Sequence, residues 1–417
     1  MEKVVITGLG LVSAAGIGAA ENEEKFRAHE SGIRRITRFP LHPKVKTCIA
    51  GLISPIPADR LPPDIVPLLS EEDLEQDYVK AAIYVVDEAL RDAGIRDAIR
   101  EKPWRTAVIV ASSLGNFLYV AELVKEYYMK EKYKISSLIH GMNSYIPSRL
   151  ASLFGAKGPC FLISSSCTSG LNAVLQAESL IQRGVVDRAI ICAVDVCLET
   201  GTYHLWNKLR VLSHRNDEPN TACRPYCKTR DGMVVGEAAA CFILEKEVPG
   251  RPSYARMCGY GMSNGSPDFL KPTPDDLRIA IREAIADAGV KPGEIDFIAG
   301  SASGSPNCDH FETEAIRDVF GDAADRIPLF AFKSFLGTTF GTQAVSEGVL
   351  GLRCMHSHYL PEVRNVFERD ERVKANAYYR KADYAGMRMN RFLFINSGFA
   401  GNHMAVVFER PEIGRAP

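Results

Sequence analysis

The stretch Phe161-Leu162-Ile163-Ser164-Ser165-Ser166-Cys167-Thr168-Ser169-Gly170 sets one cysteine between a short apolar run and a segment with helical spacing. Upstream, Pro159 to Ile163 reads as a buried strand. Downstream, Leu171, Val174, Leu175, Leu180 and Ile181 recur at the period of a helix face, and Gly184 marks its stop. A strand running through a polar turn into a helix is the repeating unit of a layered α/β protein. It also sets the thiol at a helix N-terminus, where unpaired N–H groups and the positive end of the helix dipole favour a thiolate. The thiolate is the reactive form. Cys167 is therefore the candidate nucleophile, set against the ordinary fate of a free cysteine as a small buried hydrophobe.

The same rhythm extends both ways. Val4 to Thr7 reads as a strand leading into Gly8-Leu9-Gly10, which opens like a dinucleotide-binding turn. Ser13 stands where the third glycine belongs and no acidic ribose partner follows, so no bound cofactor is expected. Pro55 to Pro67 reads as irregular chain. Val79, Ala82, Ile83, Val86, Ala89 and Leu90 define a helix face closed by Gly94. Further strands are expected at 107–111, 189–194, 240–244, 295–299 and 391–396, with helices over 274–289 and 309–320. This alternation predicts an α/β protein with an internal duplication. Pro249-Gly250-Arg251-Pro252 marks the junction between an N-terminal half, residues 1–248, and a C-terminal half, 249–417.

The 417 residues carry a net charge of −1, which argues against a general nucleic-acid binder. No apolar run approaches the ~20 residues of a membrane span, and the start lacks a signal-peptide pattern. Eleven scattered cysteines read as reduced thiols, so a cytoplasmic protein is expected. Cys354 with His356 and His358, and Cys223 with Cys227, have ligand-like spacing but no evident completing ligands, and no metal is expected.

Other segments complete a pattern. Val4 to Ser13 opens the chain. Leu212 to Pro219, Arg224-Pro225-Tyr226 and Arg230 to Glu237 follow the cysteine. Ser305, Pro306, Asp309 and Glu312 come next, then Lys333, Ser334, Gly337 and Gly341, and finally Asn396 to Gly401. In order and spacing, over essentially the whole length, the chain resembles the β-ketoacyl synthases of the elongating fatty-acid and polyketide type. The resemblance implies a thiolase-like fold, two duplicated mixed-sheet halves in a five-layer αβαβα arrangement, usually dimeric. It implies that Cys167 accepts an acyl chain as a thioester from the phosphopantetheine arm of an acyl carrier protein. Phe399 matches the gating aromatic whose N–H completes the oxyanion hole with that of Cys167. Lys333 and Glu312 match the supporting charged pair, with Asp309 beside it.

Two positions depart from the family. Its first histidine stands in Asn-Ala-His-Gly-Thr-Ser-Thr-Pro, where this chain has Ala299-Gly300-Ser301-Ala302-Ser303-Gly304-Ser305-Pro306. Its second follows a lysine in a Lys-(three residues)-Gly-His pattern, where this chain has Lys333 to Gly337 and then Thr338. In the family these histidines stabilise the enolate formed as malonyl-carrier protein loses CO2. A serine or threonine hydroxyl can donate, but it is shorter and carries no charge. Losing one such donor costs about 10²–10³ in rate, so decarboxylative condensation is expected to be impaired, or run by an atypical Cys167–Ser301–Thr338 site, while acylation of Cys167 survives. The alternative is a non-elongating subunit that pairs, like a chain-length factor, with an active ketosynthase.

His403 follows the Phe399 loop where the family usually has asparagine. It is read as a structural loop position, with a place near the pocket as the alternative. Ser70 to Asp77 is acidic where relatives carry a basic stretch, and is read first as a capped helix turn. Basic runs at Lys125–Lys134 and Arg369–Arg391 remain as docking candidates for an acidic carrier protein.

Overall fold

The computed structural model describes residues 2–130, 136–265, 273–387 and 389–411. Among the described residues, and apart from three two-residue strands, the first half is built on β1 (Val4–Ser13), β2 (Thr106–Ala111), β3 (Cys160–Ile163), β4 (Arg188–Asp195) and β5 (Ala238–Lys246). The second half has β6 (Ala255–Asn264), β7 (Phe297–Ala299), β8 (Leu329–Phe330), β9 (Arg391–Ser397) and β10 (Asn402–Glu409). Their spatial orders are β3-β2-β4-β5-β1 and β8-β7-β9-β10-β6.

The pairing directions repeat as well. β2 runs parallel to β3 and β4, and β5 antiparallel to β4 and β1. In the same way β7 is parallel to β8 and β9, and β10 antiparallel to β9 and β6. The duplication expected from rhythm is thus present strand by strand, though the two halves share no obvious sequence repeat. They join where Val5 and Ile6 of β1 pair with Arg256 and Ala255 of β6.

Seven helices matter to the layers: α1 (Asp77–Ala93), α2 (Phe117–Lys130), α3 (Tyr145–Phe154), α4 (Ser169–Gln182), α5 (Pro274–Asp287), α6 (Cys308–Phe320) and α7 (Gln343–Ser357). α1 covers β1 and β5 on one outer face, while α5 covers β6 and β10 on the other with α6 beside it. Between the halves α4 and α7 lie against each other, α4 on β4 and α7 on β5 and β9. This is the five-layer arrangement. α7 is buried from Gln343 through Leu352, as a helix enclosed by two sheets must be. Gly8 and Gly10 serve this packing rather than a nucleotide: a Cβ on either would lie 2.2 Å from a backbone carbonyl of α1.

One expectation fails in detail. β3 is not buried: Cys160 is exposed and Phe161 to Ile163 are half-buried. The strand is the sheet's edge, hydrogen-bonded to β2 alone, so one side lacks a cover within the monomer. Pro55–Pro67, expected to be irregular, holds two short 3₁₀ turns. No helix among the described residues is long and apolar enough to cross a membrane.

Candidate active site

Cys167 lies between β3 and α4, just ahead of the helix N-cap Thr168. The chain reverses there through Ser166, a non-glycine residue held at φ 57°. Such a conformation persists only where neighbours over-determine it. Here they do. Ser165 N–H donates to Ser169 Oγ (2.9 Å), Thr168 Oγ1 donates to Ser165 O (2.7 Å), and Asn172 Nδ2 donates to Ser165 Oγ (2.8 Å). The turn presents the sulfur to a cavity of about 380 Å3 lined by Ser301, Lys333, Thr338, Gln343, Ser397, Phe399 and His403 among others.

The loop after β9 closes on the thiol. A Cβ on Gly398 would stand 3.2 Å from Cys167 Cβ and 3.3 Å from its nitrogen, so the absent side chain permits the approach. The backbone N–H of Phe399 donates to the sulfur. Burial raises the thiol above its ordinary pKa, opposed by the Ser166 hydroxyl, the Lys333 charge and the Phe399 N–H. The readily ionised thiolate expected from the helix dipole is thus corrected: desolvation dominates at a residue only 5% exposed.

Ser301 and Thr338 come from the second half. Ser301 follows β7; its N–H donates to Glu312 Oε1 (2.5 Å) and its Oγ accepts from Ser397 N–H (3.0 Å). Thr338 is fixed by its backbone, which bonds Val234 and Gly236, while its buried hydroxyl finds no partner among the described residues. Ser301 and Thr338 therefore line the same cavity as Cys167.

The charged pair resolves differently from the expectation. Lys333 Nζ lies 2.9 Å from Glu347 Oε1 on α7, both side chains being almost fully buried. Glu312 instead accepts the N–H groups of Ser301 and Ala302 and the Tyr226 hydroxyl, and burial pushes its carboxyl up to about 7. Lys333 still contributes charge at Glu312, but its ion-pair partner is Glu347. Asp309, on the same helix as Glu312, holds the 303–305 loop by accepting its N–H groups.

His403, read first as a structural loop residue, lines the cavity and is 2% exposed. Its Nδ1 lies 2.9 Å from Ser397 Oγ, and its Nε2 is buried with no partner among the described residues. Two further residues were missed in the sequence. Asp195 accepts from Ser112, Ser113, Leu114 and Gly341, tying the end of β4 to the loop that carries Thr338. Glu347 could have been noticed as a lone acid within the apolar run of α7.

Candidate metal ligands find other partners. Cys227 Sγ contacts Thr229 Oγ1, and His356 Nε2 lies against Tyr254 O. Ser70 and Asp73 form a capping box, and Asp73 also takes Tyr145 and Arg149, so the acidic stretch is built into the structure. Lys125 and Lys130 pair with Glu122 and Glu126, while 131–134 lie outside the described residues.

The chain matches the family described as beta-ketoacyl synthase, N-terminal domain, over residues 1–249, and its C-terminal domain over 254–367. The chain belongs to the β-ketoacyl synthase family, an enzyme family of transferases. It is 28% identical to the 3-oxoacyl-(acyl-carrier-protein) synthase 2 of Coxiella burnetii, covering 98% of this chain and 99% of that one. It is 27% identical to the tetracenomycin polyketide synthase ketoacyl synthase alpha subunit of Streptomyces glaucescens, covering 100% and 99%. A solved type II acyl-carrier protein complex with its ketosynthase bound to the hexaketide matches at a TM-score of 0.87 with 22% identity, covering 99% of this chain and 100% of that one. The ishigamide ketosynthase/chain length factor matches at 0.83 with 24%, covering 98% and 99%. These two likenesses establish the thiolase-like fold.

Proposed function

We propose that the protein accepts an acyl group from the phosphopantetheine thiol of an acyl carrier protein onto Cys167 and transfers it onward, with decarboxylative condensation impaired. The observation that carries this reading is the asymmetry of one cavity. The parts needed for acylation are assembled, namely a thiol, an N–H donated to it by Phe399 and a nearby buried lysine. The two positions that would hold an enolate carry Ser301 and Thr338.

In the acylation step the Cys167 thiolate attacks the carrier thioester. The Cys167 and Phe399 N–H groups hold the tetrahedral oxyanion; its collapse breaks the carrier's carbon–sulfur bond, and the phosphopantetheine sulfur leaves as a thiolate that takes up the proton Cys167 released on ionising. Lys333 raises the thiolate fraction through its positive charge, moderated by Glu347. Glu312 positions Ser301 through its backbone N–H, and Asp309 holds the adjoining 303–305 loop. The chemistry draws on protein groups and the thioester alone, without a resident cofactor.

A second reading, a chain-length-factor-like subunit paired with an active ketosynthase, is favoured by the free edge of β3 and by exposed Val124, Tyr127, Tyr128, Leu138 and Ile139. These suit a second ketosynthase-family chain, as a homodimer or heterodimer. Incubation with an acyl-carrier protein, followed by intact-mass analysis of wild type and Cys167→Ala, separates the two. An acyl increment lost in the variant supports transfer, and no increment on wild type leaves the subunit reading.

A further inference from the structure

The Cys167 cavity has lost two imidazoles relative to its family and holds another at a place where none was required. His403 sits at the start of β10, directly across the β9–β10 pairing from Ser397. The register fixes the ring: Nδ1 is 2.9 Å from Ser397 Oγ. Ser397 in turn donates its N–H to Ser301 Oγ, receives Gln343 Nε2 on its carbonyl at 3.4 Å, and precedes the glycine that abuts Cys167. One strand end therefore links His403, Ser301 and the oxyanion loop.

Nε2 is the unexplained atom. It is buried, belongs to a residue lining the cavity, and has no protein partner among the described residues. An unpaired polar atom in such a place is costly, and a structural role for the ring does not repay it. Burial lowers the ring's pKa, opposed by the Asp276 charge, so at neutral pH the imidazole is uncharged and able to take a proton.

The cavity also suits a neutral incoming group. Lys333, the buried cation on its wall, is already paired with Glu347, and Arg210, the other cation on the lining, is exposed to solvent, so an incoming carboxylate would find no uncommitted buried charge. The unpartnered Thr338 hydroxyl and Gln343 Oε1 offer one donor and one acceptor to a hydroxyl or amine.

Building on the reading of Cys167 as acyl acceptor, we propose that His403 is the general base of the second half-reaction and that the acyl group passes to a neutral alcohol or amine. Nδ1–H donates to Ser397 Oγ and leaves Nε2 bare. Nε2 takes the acceptor's proton as its oxygen or nitrogen bonds to the thioester carbonyl carbon. The oxyanion rests on the Cys167 and Phe399 N–H groups. Its collapse breaks the carbon–sulfur bond, and the imidazolium returns the proton to the Cys167 thiolate, giving an ester or amide and the free enzyme.

The test loads the enzyme with octanoyl-N-acetylcysteamine thioester and follows the acyl-enzyme by intact mass after adding glycerol, glycinamide or buffer alone. His403→Asn keeps a group able to bond Ser397 Oγ and removes Nε2. His403→Gln reaches the Nε2 position without a base. Both variants are expected to acylate within about twofold of wild type and to release the acyl group to the probe at least ~10²-fold more slowly. Equal release by wild type and His403→Asn overturns the role of His403, as does wild-type acyl-enzyme that resists both probes. If either variant fails to fold, the remaining one decides by the same criteria; if both fail, a solvent isotope effect of unity on wild-type release overturns the proposal, and a value clearly above one supports it. No adduct on wild type overturns the acylation reading itself, a result distinct from failure of the release step alone.

Discussion

The β3–α4 turn and the β8–α7 loop occupy the same place in the two halves, yet they do different chemistry. The first runs only from Ser164 to Thr168 and holds the nucleophile at a strained Ser166. The second runs from Ala331 to Thr342, takes a helical turn at Lys333–Leu336, and passes through Gly337 at φ 77° before Thr338. Their helices meet closely: a Cβ on Gly170 would lie 2.9 Å from Ala344 Cβ. A duplicated topology thus brings two non-equivalent loops to one cavity, and the length of each loop sets what it supplies. The short one presents an atom; the long one presents a wall of donors and an ion pair.

Altering the two cavity hydroxyls, Thr338 on the long loop and Ser301 after β7, should have the largest effect. The double variant Ser301→His/Thr338→His is expected to raise CO2 release from malonyl-carrier protein by ~10² or more, because enolate donors return to a site whose other parts are assembled. Labelled-CO2 release measures this, and an unchanged rate would show that the missing imidazoles are not what limits condensation.

Crowding the nucleophile side comes next. Gly398→Val sets branched carbons where Cys167 Cβ and N already stand within 3.3 Å of the Cβ position, so the Phe399 loop must withdraw. Acylation should fall by ~10², the cost of an oxyanion donor. Intact-mass kinetics check this alongside a melting curve.

The ion pair offers a stability test. Lys333→Met leaves Glu347 buried and uncompensated, and is expected to cost about 3–5 kcal/mol in urea unfolding. Lys333→Met/Glu347→Leu should recover most of that loss, since an apolar pair fits a site enclosed by both sheets.

The smallest effect is a shift in pH profile. Burial raises the folded-state thiol pKa, so the thiolate fraction grows only at higher pH. Alkylation of Cys167 by iodoacetamide should therefore inflect above the ordinary thiol value of 9.0. Lys333→Met should move the inflection further up by removing the favourable charge.

Much of this was legible in the sequence, for reasons specific to each element. Strands β2, β4, β5, β7 and β9 lie within a residue or two of their expected places, since each is an apolar run bounded by turn residues. Cys167, Ser301, Thr338 and Phe399 were placed by motif order and share one cavity. What stayed hidden depends on contacts distant in sequence or on exposure. Glu347 meets Lys333 only because α7 folds back beneath it, and no local pattern encodes that pairing. His403 looked like a loop residue because its position opposite Ser397 follows from strand register rather than composition. The exposure of β3 follows from its place at the sheet edge, which its apolar sequence does not announce. The raised thiol reflects burial outweighing the helix terminus, a balance that requires coordinates.

The most direct test of the central claim is an intact-mass measurement on both proteins after mixing the enzyme with acyl-carrier protein and malonyl-carrier protein. The account predicts an unextended acyl group on Cys167, absent in Cys167→Ala, and no β-ketoacyl increment on the carrier protein. A β-ketoacyl carrier formed at the rate of an ordinary elongating synthase, or a wild-type enzyme bearing no acyl group, would contradict it.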